Sequence, residues 1–110
     1  MKRSVLVTGA ASGLGQIISR HLWQQGYQVA MADLSLEAAR LSAQEIDRAE
    51  ARLLPLALDI RQPAQFSAAL EQIGARFGEL DVLVNNAALT LTTPIMEISV
   101  EEFDRVTSTN

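Results

Sequence analysis

The chain has no cysteine. That excludes disulfide frameworks, thiol nucleophiles and cysteine-ligated metals. Its one histidine, His21, cannot build a histidine metal cluster. Its one lysine, Lys2, and its arginines are scattered among 13 acidic residues, so no basic stripe exists for nucleic acid. No apolar run approaches the roughly 18 residues that a membrane helix needs. Met1-Lys2-Arg3 before Val5-Leu6-Val7 has the outline of a secretory signal, but Thr8-Gly9 interrupts the apolar run almost at once. The expected location is cytoplasmic.

What is present is the balance of a globular chain. It has 110 residues, 48% hydrophobic and 20% charged, with a formal charge of −4. That is enough for one modest core and too little for two. Four short apolar runs, Ser4 to Thr8, Gln28 to Ala32, Leu53 to Leu58 and Val82 to Val84, read as strands. The first and last are nearly continuous in valine and leucine, as expected of strands covered on both faces.

Helical patterns lie between them. Leu14, Ile17, Ile18, His21 and Leu22 follow a helical stripe, which places His21 among packed residues. Leu36 to about Glu50 is a weaker helix. Phe66, Ala69, Leu70, Ile73 and Phe77 mark a third, with Pro63 at its start and Gly74 and Gly78 about its end. A fourth helix is expected from Ser99, with Glu102 completing a capping box.

This alternation predicts an α/β fold, a doubly wound parallel sheet with right-handed crossovers. Pro55 removes a ladder donor from the third strand, so that strand belongs at an edge. A Rossmann-type order of 3-2-1-4 places it there. The outer edge of the fourth strand would then be open. An exposed Val82-Leu83-Val84 edge invites pairing with a second copy, so a homo-oligomer is expected.

The first strand runs into Thr8-Gly9-Ala10-Ala11-Ser12-Gly13-Leu14-Gly15 and then a helix. Gly9 can take the positive φ of a tight turn. Gly13 has no side chain where a pyrophosphate would approach the backbone, and Gly15 lets the helix pack closely on the sheet. The unpaired first-turn amides of a helix attract phosphate. The competing reading is an ordinary strand-to-helix turn with three glycines. A Walker-type loop is excluded, because Gly15 is followed by Gln16.

Asp33 ends the second strand, eighteen positions after Gly15. A carboxylate there accepts hydrogen bonds from a ribose hydroxyl and repels a 2′-phosphate. With no cation close by in sequence, NAD(H) is favoured over NADP(H). The alternative is that Asp33 merely caps the following helix. Asp59, at the end of the third strand, also stands at the place of the acid in a phosphoacceptor domain, but the magnesium-binding acids that class needs after the first strand are replaced by Thr8-Gly9.

These residues together resemble the N-terminal half of a short-chain dehydrogenase/reductase. Thr8 to Gly15 match the family's T-G-x-x-x-G-x-G motif, and Asn85-Asn86-Ala87-Ala88 resemble its N-N-A-G motif, with Ala88 in place of the glycine. The resemblance implies that Gly9, Ser12, Gly13, Leu14 and Gly15 line a pyrophosphate and that Asp33 holds the adenosine ribose. It implies that Asp59 and the Ile60 backbone border adenine, and that Asn86 and Ala87 support the fourth strand and contact the cofactor. Asn110 falls where the family carries the asparagine of its catalytic tetrad. The family's Tyr-x-x-x-Lys is missing: the one tyrosine is Tyr27, and Met31 stands four residues on.

Residues 1–110 therefore read as the N-terminal part of one dinucleotide-binding domain without its catalytic C-terminal half. The resemblance implies an oxidoreductase moving hydride between NAD(H) and a small-molecule alcohol or ketone. The isolated chain is expected to be inactive. The other reading is a non-catalytic NAD(H)-binding or partner-binding module.

Overall fold

A computed structural model describes residues 3–86 and the backbone of residues 96–98. The elements run β1 (Ser4–Thr8), α1 (Gly13–Gln24), β2 (Gln28–Asp33), α2 (Leu36–Ile46), β3 (Leu53–Ala57), α3 (Pro63–Phe77), β4 (Val82–Asn85) and β5 (Met96–Ile98). The sheet order is β3-β2-β1-β4-β5. The first four strands are parallel, with Val5 opposite both Val29 and Val82. Pro55 lies in β3 at the edge, as its missing donor requires.

Alternation along the strands splits the core between the two faces. Leu6, Ala30, Leu56 and Leu83 face Phe66, Ala69 and Ile73 of α3. Val5, Val7, Val29, Met31 and Val84 face the other way, where Ala43 of α2 and Ile18, Leu22 and Trp23 of α1 cover them. Helices on both faces explain why β1 is apolar without interruption.

The open edge expected at β4 is not found. β5 pairs with it antiparallel, Leu83 opposite Ile98 and Asn85 opposite Met96. Leu83 and Val84, expected to draw in a second copy, are already paired within the chain. The fourth helix expected from Ser99, and the positions Ala87, Ala88 and Asn110, lie outside the described residues.

The buried face of α1 also differs from the expected stripe. Gly15 and Ser19 are buried, and Ile18, Leu22 and Trp23 pack on the sheet. Leu14, Ile17 and His21 are exposed. The helix is turned by about one residue because its smallest side, Gly15, rests on the Gly9 carbonyl. Close approach of backbone to backbone decides the rotation, and the apolar stripe yields to it. His21 is thus a surface residue.

Two further boundaries moved. α2 stops at Ile46, short of Glu50, because Asp47 leaves the helix in an extended conformation. Its carboxylate then accepts from the Ala49 and Ala51 amides and builds a turn. Gly74 lies inside α3, and Gly78 alone ends it, with φ +89°.

The turn into β3 holds Glu50 at φ 55° and Arg52 at φ 61°. Left-handed backbone is costly for both, and the two side chains differ in what they give back. Arg52 Nη1 donates to the Trp23 and Tyr27 carbonyls at 3.0 and 2.8 Å, and its guanidinium lies 5.1 Å from the Trp23 ring. Glu50 instead buries Oε2 with no partner. Glu50→Gly is expected to stabilise the fold by about 0.5–1 kcal/mol, and Arg52→Gly to destabilise it. Urea unfolding of the two variants measures the contrast; equal effects in one direction would contradict this account of the turn.

Candidate functional site

The carboxyl ends of β1, β2 and β4 meet around the turn from β1 to α1. Gly9 has φ +64°, the left-handed conformation the turn needs. Its carbonyl accepts from the Ser12 amide at 3.1 Å and the Ser12 hydroxyl at 2.7 Å. Ser12 is the N-cap of α1, and its Oγ accepts from the Gly15 amide at 3.0 Å. The next turn of the helix begins with the Gln16 amide donating to the Ser12 carbonyl.

This accounting leaves two donors over. No described group accepts from the Gly13 or Leu14 N–H. Both lie in the first turn of a helix, where the dipole is positive. A Cβ at Gly13 would meet nothing within 4 Å, so that side of the turn is uncrowded. A Cβ at Gly15 would stand 2.0 Å from the Gly9 carbonyl oxygen. The first glycine keeps a cradle clear, and the second lets the backbone that forms it close up.

Asp33 stands at the end of β2, half-buried, beside the turn. Its Oδ2 accepts from the Ala11 amide at 3.2 Å, and its Oδ1 lies 3.5 Å from the Ser35 amide. Ser35, not Asp33, caps α2, its hydroxyl accepting from the Ala38 amide. The capping alternative is thereby corrected: the carboxylate faces the glycine turn. Leu34, the next residue, is 71% exposed.

The end of β4 braces the turn from the other side. Asn86 is 2% exposed. Its Nδ2 donates to the Gly9 carbonyl at 3.3 Å and to Ser12 Oγ at 3.2 Å, while its Oδ1 is buried with no partner. Its backbone amide donates to Thr8 Oγ1 at 2.9 Å, and Thr8 Oγ1 lies 3.0 Å from Asn85 Oδ1. Thr8 is a strut that the sequence reading left without a role. Its signal was a hydroxyl inside a fully buried strand, where an unmade hydrogen bond is expensive.

Asp59 and Ile60 follow β3, Ile60 packed on the core and Asp59 paired with Arg61. Arg61 Nε and Nη2 reach the two carboxylate oxygens at 2.9 Å each, and the Arg61 amide donates to Oδ1 at 3.0 Å. The Arg61 guanidinium therefore holds the Asp59 carboxyl below its ordinary value. A depressed folded value means that the pair stabilises above the usual carboxylate range, about pH 3.9, and loses this as the pH falls through the lowered value. NMR titration of the Asp59 carboxyl is expected to give a midpoint below about 3.9, returning towards it in Arg61→Ala. An unchanged midpoint in that variant would remove the assigned cause.

Among the described residues, no helix is long and apolar enough to cross a membrane, and no three His, Asp or Glu side chains group to hold a metal.

The model of the short chain dehydrogenase family matches residues 3–110. A sorbitol dehydrogenase of Cereibacter sphaeroides is 39% identical over 98% of this chain and 41% of its own length. An L-2,3-butanediol dehydrogenase of Corynebacterium glutamicum is 33% identical over 100% of this chain and 43% of its own. Among solved structures, a menthone neomenthol reductase from Mentha piperita gives a TM-score of 0.74 at 31% identity, covering 81% of this chain and 32% of that one. An actinorhodin polyketide ketoreductase, in its crystal structure with NADPH, also gives 0.74, at 33% identity over 80% of this chain and 34% of that one. The chain thus spans about two-fifths of the length of these curated relatives. With the glycine turn, the strand order and the family model in agreement, this chain belongs to the short-chain dehydrogenase/reductase family of oxidoreductases.

Proposed function

We propose that this chain forms the cofactor-binding part of an NAD(H)-dependent oxidoreductase acting on an alcohol or ketone. The observation that carries this is the pair of unclaimed first-turn amides, Gly13 and Leu14, beside a Gly13 whose Cβ position is unoccupied. A pyrophosphate is the matching group: it accepts from both amides and is favoured by the helix dipole. In β1-β2-β3 order, the strand ends then present amides, the Asp33 carboxylate, and Asp59 with Ile60. That sequence suits phosphate, ribose and base in turn.

Each residue has a defined task in this reading. Gly9 and Gly15 shape the turn, Ser12 closes it, and Leu14 adds an amide and an exposed side chain at its lip. Asp33 accepts from the ribose hydroxyls. The Ile60 backbone and Asp59 border the base, and Leu34 offers it an apolar surface. Asn86 fixes the turn to β4, and Ala87 is assigned to the cofactor side by the family resemblance. The bound nicotinamide supplies a hydride donor or acceptor. Asn110 belongs to the catalytic end, but Tyr-x-x-x-Lys is missing, so the chain alone is expected to bind dinucleotide without turning over substrate. The names of its relatives, sorbitol, butanediol and D-threitol dehydrogenases, support a small hydroxylated substrate for the whole enzyme.

Calorimetric titration with NAD and with NADP tests the reading. The expected result is measurable NAD binding and weaker NADP binding. Absence of binding by either cofactor would overturn it, and equal affinities would remove the preference for NAD.

A further inference from the structure

Ser42 lies on α2, outside every motif discussed above, and is 6% exposed. Its hydroxyl donates to the Ala10 carbonyl at 2.9 Å across 32 residues of sequence. That carbonyl belongs to the peptide group joining Ala10 to Ala11. The N–H of the same peptide group is the one that donates to Asp33 Oδ2 at 3.2 Å. One peptide plane is therefore held at both ends, by Ser42 at its oxygen and by Asp33 at its nitrogen. The Ala10 amide donates to the Ala32 carbonyl at 2.9 Å, which fixes the preceding peptide plane as well.

We infer that Ser42 is a positioning residue for Asp33, acting through the Ala10–Ala11 peptide. This rests on the reading of Asp33 as the ribose acceptor. A peptide plane pinned at one end only can rotate about its flanking bonds, whereas one pinned at both ends cannot without breaking a hydrogen bond. A donor on the carbonyl also polarises the amide and strengthens its N–H as a donor. The Ser42 hydroxyl thus keeps the Ala11 N–H aimed at Oδ2, and the Ala11 N–H keeps the carboxylate in one orientation. Oδ1, which among the described residues is met only by the Ser35 amide at 3.5 Å, keeps a lone pair for a ribose hydroxyl. α2, which touches no candidate ligand position itself, becomes part of the machinery that distinguishes a 2′-hydroxyl from a 2′-phosphate.

The test compares the parent chain with Ser42→Ala and Ser42→Thr. Each is titrated with NAD, NADP and ADP-ribose, and backbone amide exchange is followed by NMR. One neutral hydrogen bond is worth about 1 kcal/mol, roughly fivefold in affinity. Ser42→Ala is expected to weaken NAD and ADP-ribose by about that factor, to narrow the NAD-to-NADP ratio, and to accelerate exchange of the Ala11 amide selectively. Ser42→Thr keeps the hydroxyl and is expected to retain the parent ratio and the parent Ala11 protection. Equal weakening of NAD and NADP with Ala11 exchange unchanged would overturn the inference, because a general loosening of α2 predicts that pattern. Should the parent bind neither cofactor, the dinucleotide reading fails, and the clamp is judged on Ala11 exchange alone: no acceleration in Ser42→Ala refutes it.

Discussion

Gly15→Ala is expected to destabilise the fold by about 3 kcal/mol, the upper part of the range for forcing atoms into filled space. The added Cβ would lie 2.0 Å from the Gly9 carbonyl oxygen, 2.8 Å from the Gly9 carbonyl carbon and 2.9 Å from Ala10 Cα. All three are backbone atoms, so no side chain can swing aside. Relief requires α1 to lift from the turn, which breaks the cap between Ser12 and Gly15 and shifts Ile18, Leu22 and Trp23 off the sheet. For a domain of this size the loss corresponds to a fall in Tm of roughly 13 °C.

Gly13→Ala reverses the pattern. Its Cβ meets nothing, and alanine is the better helix former by about 0.5–1 kcal/mol, so stability should hold or rise. Dinucleotide affinity should fall at least tenfold, because the methyl group occupies the space the amides face. Thermal unfolding and NAD titration of both variants separate a structural glycine from a ligand-facing one. The account fails if Gly15→Ala melts with the parent, or if Gly13→Ala binds NAD as well as the parent does.

The two glycines also show what was legible in the sequence. Their spacing, between an apolar strand and a helix, was enough to assign the turn and its polarity. The order of the four parallel strands was legible too, because Pro55 and the crossover rule point to one arrangement. The rotation of α1 was not. Hydropathy placed Leu14, Ile17 and His21 inward, whereas the contact of Gly15 with the Gly9 carbonyl turned them out. A stripe records which residues are apolar, and it carries no information about how closely two backbones approach. β5 was likewise hidden, since Met96–Ile98 is too short for a period to register. Around the turn, Asp33 was legible from its place at the end of the second strand, and Asn86 only through the family resemblance. Ser42 was not, because a serine inside a helix has no pattern until the fold brings the Ala10 carbonyl to it.

Asp33→Asn is expected to shift the NAD-to-NADP ratio by about 10- to 100-fold towards NADP. Two unit charges about 4 Å apart interact by about 4 kcal/mol at an effective dielectric of about 20. Asp33 is only half-buried, so water screens part of this, and about 1.4–2.8 kcal/mol corresponds to the stated range. Asparagine preserves the shape and an acceptor for the Ala11 amide, so the turn should hold while the repulsion disappears. Asp33→Ala removes both. It should weaken NAD further than Asp33→Asn and give a smaller gain with NADP, because the Ala10–Ala11 peptide is then held by Ser42 alone. A neighbouring cation does not undercut the argument in the parent chain. Arg61 follows the adjacent strand, but its guanidinium is taken up by both oxygens of Asp59. Releasing it by Asp59→Asn in the Asp33→Asn background should raise NADP affinity again, without a matching gain for NAD. Parallel titrations of the three variants decide the matter: a ratio that stays at the parent value in Asp33→Asn would show that the carboxylate does not meet the 2′ position, whatever the turn itself binds.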